Sequence, residues 1–334
     1  MLTSLFARTS GALACLFLLL LAATSSLLFG HIQVSFDKLL GSLLDYDPGS
    51  LEHLVIRTER FSRTVTALIV GAGLAIAGAL MQTLTRNPLA SPGILGINAG
   101  AMFFVVVGAT VFSLVSPSEL VWAAFVGAAI AALLVYFLGQ EARSGISPVR
   151  TVLAGVAVTA LFVSFAQGLL ILNQDRFESI LFWLAGSVSG RELDAVLPLL
   201  PVFAIALVIA LLLSPQLNLL GLDDEVIRGL GLRVGQVRLL TGLVVIVLAG
   251  TSVAMAGLIG FVGLIVPHMA RGLFGTDHRW VLPMAALLGA ALLLAADTVA
   301  RLVIPPQEIP VGVMTALLGT PLFLHLARQV RKSS

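Results

Sequence analysis

Apolar residues run through this chain in long blocks, and polar ones collect in short clusters between them. From Thr64 to Leu84 no residue carries a charge, and the block matches the roughly 20 apolar residues needed to cross a hydrocarbon core. The same pattern predicts spans at about 11–29, 93–114, 119–138, 149–172, 194–213, 281–303 and 309–327. Between them, 237–270 is too long for one crossing. As a single helix it would run about 51 Å at about 1.5 Å per residue, and Gly257, Gly260 and Gly263 invite a break.

Splitting that run predicts ten spans with both termini on one side, and the basic residues decide the orientation. With the N-terminus inside, 12 of the 19 Lys and Arg residues fall on the inner side, whereas leaving the run whole divides them 8 to 11. The positive-inside rule therefore favours ten spans and cytoplasmic ends. Ala22, Ala23 and Thr24 would suit a signal-peptide cleavage site, but the first block is long enough to span and is read as a retained helix.

Gly71, Gly73 and Gly78, with Ala72, Ala75, Ala77 and Ala79, give the second span a surface on which neighbouring helices can approach closely. Arg86-Asn87-Pro88 and Ser91-Pro92-Gly93 then turn the chain. Ala72-Gly73 and Gly78, with Gly78 10 residues before Pro88, are matched by Ala249-Gly250 and Gly257, with Gly257 10 residues before Pro267, on helices expected to run in opposite directions. Such an inverted repeat is common in transporters.

Composition agrees with the pattern. Of 334 residues, 58% are hydrophobic and 11% charged, with mean hydropathy +1.06, against about 25% charged in ordinary soluble domains. The chain reads as one all-α membrane domain, 1–334. A formal charge of +2 gives no support to nucleic-acid binding. Cys15 stands alone, so it can make no intrachain disulfide, and the five histidines show no metal-ligand spacing.

Few residues in the spans ionise. Asp297 is the clear intramembrane carboxylate, and Arg301 four residues later is read as its local helix partner rather than as part of a proton relay. An ion-coupled secondary transporter, the reading from a different class, would need more acids at depth. An intramembrane enzyme would need a catalytic pair. The only lysines, Lys38 and Lys332, have no phosphate-loop setting, so ATP and Mg would belong to a partner. Residues 214–236 form a polar interruption in which Asp223, Asp224, Glu225 and Arg228 alternate with Leu222, Val226, Ile227 and Leu230. This suggests a short amphipathic helix with its acids in the first turn.

Three blocks in order, RFSRTVTALIVGAGLAIAGALMQTLTRNPLASPGILGINAGA at 60–101, LNLLGLDDEVIRGLGLRVGQVR at 217–238 and AGLIGFVGLIVPHMARGLFGTDHRWVLP at 256–283, carry a resemblance to a known family. They resemble the permeases of ABC importers for iron-siderophores, haem and vitamin B12, over about Arg57 to the C-terminal end.

The resemblance implies a vitamin B12 importer permease-like fold in a bacterial inner (plasma) membrane. Its partners would be a cytoplasmic ABC ATPase dimer, a periplasmic or lipid-anchored substrate-binding protein and a second permease subunit. It implies that residues 215–235 are coupling helices, with Asp224, Glu225, Arg228, Gly229 and Gly231 meeting the ATPase.

Arginines matching Arg60, Arg63 and Arg301 would receive acids of the binding protein. The family's usual Arg-Leu-Pro-Arg appears here as Arg60-Phe61-Ser62-Arg63, which brings Arg57 in as a further candidate. The family's path is lined by the fifth and tenth helices, making Thr159, Ser164, Gln167, Thr315 and Thr320 the polar candidates. The 86–97 loop and the Pro267–Arg271 segment would shape helix ends and the ATPase contact. The implied cargo is a ferric siderophore, with haem or vitamin B12 as the alternative.

Overall fold

The computed structural model describes residues 4–141, 145–146, 148–174, 180, 183–191, 193–222, 224–229 and 233–333. The spanning helices are α1 Leu5–Leu28, α2 Phe61–Thr85, α3 Ile97–Thr110, α4 Pro117–Leu138, α5 Pro148–Leu172, α6 Leu193–Leu212, α7 Val234–Ala256, α8 Val262–Phe274, α9 His278–Leu302 and α10 Val311–Ser333. A short helix and a π turn, Leu51–Val55 and Ile56–Arg60, run continuously into α2. Among the described residues seven helices are long and apolar enough to cross a membrane. The described parts of α3, α8 and α10 are shorter apolar helices.

The run at 237–270 is broken where its glycines suggest, with Gly257 at φ 73° and Phe261 at φ 67° separating α7 from α8. Pro267–Arg271 lies in the C-terminal half of α8, with Arg271 in the last turn; the break precedes it because Gly257 reaches positive φ without strain. The third span is shorter than expected, since Pro92–Leu95 forms a 3-10 turn and Gly96 at φ 71° starts α3. At 13 and 14 residues, α8 and α3 cover only about 20 Å, so the breaks before them reach membrane depth. Irregular backbone is tolerated there because protein surrounds it. The two breaks meet at a cavity of about 60 Å³ walled by Ser91, Pro92, Asn98, Gly260 and Phe261.

Exchanging α2, α3, α4 and α5 with α7, α8, α9 and α10 maps neighbours onto neighbours. As α2 packs on α9 and α8, so α7 packs on α4 and α3; α3 touches α4 and α5 as α8 touches α9 and α10. This is the architecture of an inverted repeat. Helix α2 is the centre of the bundle, and glycine sets how near its neighbours come. A methyl group on Gly71 would overlap the backbone of Gly289 on α9, and one on Gly78 would overlap Gly263 on α8. In lipid, where apolar burial between helices brings no hydrophobic gain, such approach supplies the van der Waals contact that holds helices together. By contrast α1 is mostly exposed along its length, with Cys15 and Ser26 its buried residues.

Candidate functional site

At the end of the bundle where α2 begins, four of the sequence-predicted residues come together. Arg63 clasps Asp297 of α9, donating from Nε to Oδ1 and Oδ2 at 3.1 and 3.0 Å and from Nη2 to Oδ1 at 2.9 Å. Its Nη1 reaches Ser189 Oγ at 3.1 Å and Glu308 Oε2 at 2.9 Å. Arg301 Nη2 stands 3.1 Å from the other Asp297 oxygen, so the aspartate is shared between two helices rather than held in a local pair alone. Two-pronged guanidinium–carboxylate geometry is the strongest form of such a bond. His31 Nε2 meets Glu308 Oε1 at 3.2 Å, which extends the network to the loop after α1.

Arg60 and Arg301 also close the end of α1. Arg60 Nη1 donates to the carbonyls of Leu27 and Leu28 at 2.6 and 2.7 Å, and its Nη2 to Ile32 O. Arg301 Nη1 donates to Ser26 O and Phe29 O at 3.2 and 3.0 Å. The last carbonyls of a helix have no partners within it, and cations are favoured there.

Arg60, Arg63 and Arg301 are thus interior charges, each 3% exposed and bonded within the chain. Arg57 is exposed and lies over the Tyr46 ring at 4.3 Å, a cation–π contact. In the nearby loop, burial pulls the Arg191 guanidinium down to about 10.

At the opposite end, short helices Ser214–Leu219 and Asp224–Gly229 occupy the segment read from the resemblance as coupling helices. Ile227 is fully buried and Val226 exposed, the two faces of an amphipathic turn. Gly229 is exposed with open space beside it; Gly231, and the side chains of Asp224, Glu225 and Arg228, lie outside the described residues. The segment is tied to α2 by Arg86, whose left-handed backbone ends the helix. Arg86 Nε donates to Leu220 O at 3.2 Å and Nη2 to Leu222 O at 2.7 Å. It is tied to α9 by Asn218, which donates to Asp277 Oδ1 at 2.7 Å and accepts from His278 N at 2.8 Å.

Sequence reasoning did not find Asn218, nor Gln82, which donates to Leu264 O at 3.1 Å and accepts from Arg271 at 2.5 Å. A lone amide carries no spacing signal. Among the path candidates, Ser164, Gln167 and Thr320 lie on outward faces of α5 and α10 and Thr159 is half-buried beside Gly96. Thr315 turns inward, 3% exposed, donating to Gly312 O at 3.0 Å. Among the described residues no three His, Cys, Asp or Glu side chains gather as metal ligands.

Comparison with known proteins places this geometry. Residues 18–329 match the FecCD transport family. The chain is 48% identical over 321 residues to the Bacillus subtilis protein named "Probable siderophore transport system permease protein YfiZ", covering 96% of each. It is 42% identical over 314 residues to the ferric enterobactin transport system permease protein FepD of Escherichia coli, covering 94% of this chain and 93% of that one. Among solved structures, an inward-facing metal-chelate type ABC transporter superposes with TM-score 0.84 at 33% identity, over 95% of this chain and 98% of the other. With apolar helices packed as an inverted repeat among the described residues and a family match over residues 18–329, the chain belongs to the FecCD transport family of membrane permeases.

Proposed function

We propose that the chain is the transmembrane permease subunit of an ATP-driven ABC importer that moves a ferric siderophore delivered by a substrate-binding protein. The observation that carries this reading is the unbroken likeness, over 96% of both chains, to a relative named for siderophore transport. ATP and Mg would be handled by a cytoplasmic ATPase dimer, and a second permease subunit would complete the path between α5 and α10. The chain would sit in a bacterial inner membrane with both termini cytoplasmic, the orientation that the count of basic residues supports.

The two ends of the bundle support a division of labour. The coupling segment would seat on the ATPase through Asp224, Glu225, Arg228, Gly229 and Gly231. Its bonds to Arg86 and to Asp277 and His278 hand any displacement to α2 and α9. These two helices pack at Gly71 and Gly289, and at their far ends they share the Arg63–Asp297 pair. A push from the ATPase would thus travel through one stiff helix pair to the face that receives the binding protein. On that face Arg57 is the exposed cation, and Arg60, Arg63 and Arg301 would act by shaping the mouth from inside or on rearrangement. The outward Ser164, Gln167 and Thr320 would line the path.

The test is uptake into proteoliposomes containing the permease, with the candidate ATPase and binding protein supplied and ferric siderophores, haem and cobalamin offered separately. Uptake of a ferric siderophore that needs both partners and ATP is the expected result. Preference for haem or cobalamin would change the cargo, and uptake by the chain alone under an ion gradient would overturn the class.

A further inference from the structure

Between α1 and the Leu51–Val55 helix the chain forms a nine-residue helix, Phe36–Leu44, started by Ser35, whose side chain accepts from Lys38 N at 3.4 Å. Its two faces meet different surroundings. On the inner one Ser42 is closed to solvent and Gly41 lies close to the His53 ring. Leu39, 5% exposed, joins Val34 and Ile56 in a small apolar cluster against Leu27 and Leu28, the last turn of α1. Phe36, Leu40 and Leu44 stand on the outer face, in one stripe because they recur every fourth residue, and they are 55, 42 and 84% exposed. The transport reading leaves this apolar stripe without a task.

What covers it follows from where the helix sits. At about 1.5 Å per residue the 24 residues of α1 run about 36 Å, against a hydrocarbon core of about 30 Å. The last turn, on which Leu39 packs, therefore lies at the boundary between acyl chains and headgroups. The connection is short and folded back, with Val34 N donating to Leu28 O at 3.3 Å, so the helix stays at that depth. The exposed apolar surface of α1 runs on through Phe29 and Ile32 to Phe36, and the stripe continues a surface that faces lipid. We propose that Phe36–Leu44 is an interfacial helix, its Phe36, Leu40 and Leu44 side chains immersed in the bilayer where acyl chains meet headgroups. Amphipathic helices lie in this plane with their apolar side about 5–10 Å deep. A protein docking face steered by charge is a poorer match, since the stripe carries no charge and Lys38 turns away to Glu52, 4.0 Å off. From this helix the chain passes through the 45–50 turn and residues 51–60 into α2, so immersion sets the depth at which α2 begins. The inference uses the spanning helices and not the cargo.

The experiment uses the full chain in phospholipid nanodiscs. Cys15 is the one cysteine, so Cys15→Ala gives a background in which Leu40→Cys, Leu44→Cys or Lys38→Cys carries a single nitroxide label. All three labelled positions are exposed, so the label displaces no core contact, and size-exclusion chromatography checks that each variant is folded. The readout is collision of the nitroxide with oxygen, which concentrates among acyl chains, against collision with a water-soluble nickel chelate. The oxygen-to-chelate ratio at positions 40 and 44 should exceed that at position 38 by roughly tenfold, as for side chains about 5–10 Å below the surface. Equal ratios at all three would place the stripe in water and overturn the proposal. Shielding from both reagents would assign it to a protein contact and overturn the proposal too, the contact being a second copy if seen in the permease alone and the binding protein if seen only when that partner is added. Each outcome reads the same whether or not the chain transports a siderophore.

Discussion

Arg63 and Asp297 stand 234 positions apart and form a two-pronged pair almost closed to water, the arginine 3% and the aspartate 1% exposed. Loss of one partner of a buried pair costs about 3–5 kcal/mol because the other is left charged in the interior. Asp297→Ala, which leaves Arg301 with neutral acceptors and Arg63 with Glu308 as its close remaining carboxylate, should therefore lower thermal stability of the purified chain. In a double-mutant cycle of Arg63→Met with Asp297→Asn the losses should fall short of additivity by more than about 0.5 kcal/mol. Strict additivity would mean that the two side chains do not support one another.

Arg57 tests docking without disturbing that interior. Since it is exposed, Arg57→Glu should leave stability within about 0.5 kcal/mol while slowing binding-protein association roughly tenfold, the lower range for electrostatic steering. Association rates measured over a series of ionic strengths decide it, and equal rates at low salt would remove Arg57 from the docking face.

Arg86 fastens the segment proposed to couple to the ATPase onto α2 through the Leu220 and Leu222 carbonyls. Arg86→Ala should leave the ATPase bound but reduce cargo moved per ATP by roughly tenfold, as expected from losing charge-assisted bonds of about 1.5–3 kcal/mol. The paired measurement is co-purification against the uptake-to-hydrolysis ratio in proteoliposomes. A normal ratio would show that force reaches the bundle by another route.

Gly78 admits α8 against α2, and Gly78→Leu drives side-chain atoms into the Gly263 backbone. The variant should fail to yield a monodisperse protein, whereas Gly229→Ala, with open space beside it, should be recovered normally. Size-exclusion chromatography of the two distinguishes overpacking from a general intolerance of added methyl groups.

Asp277 gives a pH dependence with a definite sign. Burial alone would raise its pKa, but the Asn218 and Arg279 hydrogen bonds and the nearby Arg279 and Arg8 charges outweigh it, so the folded value is lowered. Its stabilisation is present above the unfolded value of about 3.9 and fades as pH falls through the folded one. Unfolding curves for wild type and Asp277→Asn should be separated at neutral pH and converge in acid; a constant gap would assign the effect to packing.

How much of this was legible in the sequence depends on the kind of signal. Ten spans could be read because each requires a long apolar block, and the break near Gly257 because 34 residues exceed the membrane. Arg60, Arg63 and Arg301 stood out as charges in apolar surroundings, yet nothing along the chain says that Arg63 would find Asp297, because that pairing is set by how α2 lies on α9. Asp297 with Arg301 looked complete as an i, i+4 pair, and the local geometry hid the distant partner. The Pro267–Arg271 segment fills the C-terminal half of α8, with Arg271 in its last turn, and the chain accommodates Pro267 inside the helix. Asn218 and Gln82 were invisible, as single amides whose roles exist only where three elements meet.

The seating of α1 has a consequence for how the protein is made. Its terminal carbonyls are closed by two guanidinium groups, one from Arg60, 32 residues beyond Leu28, and one from Arg301, 272 residues beyond Phe29. As the chain is made, α1 can take its near clasp soon after it emerges but must wait for α9 to receive the other. Until then it is held at one point, and its final position in the bilayer is fixed only once α9 is in place.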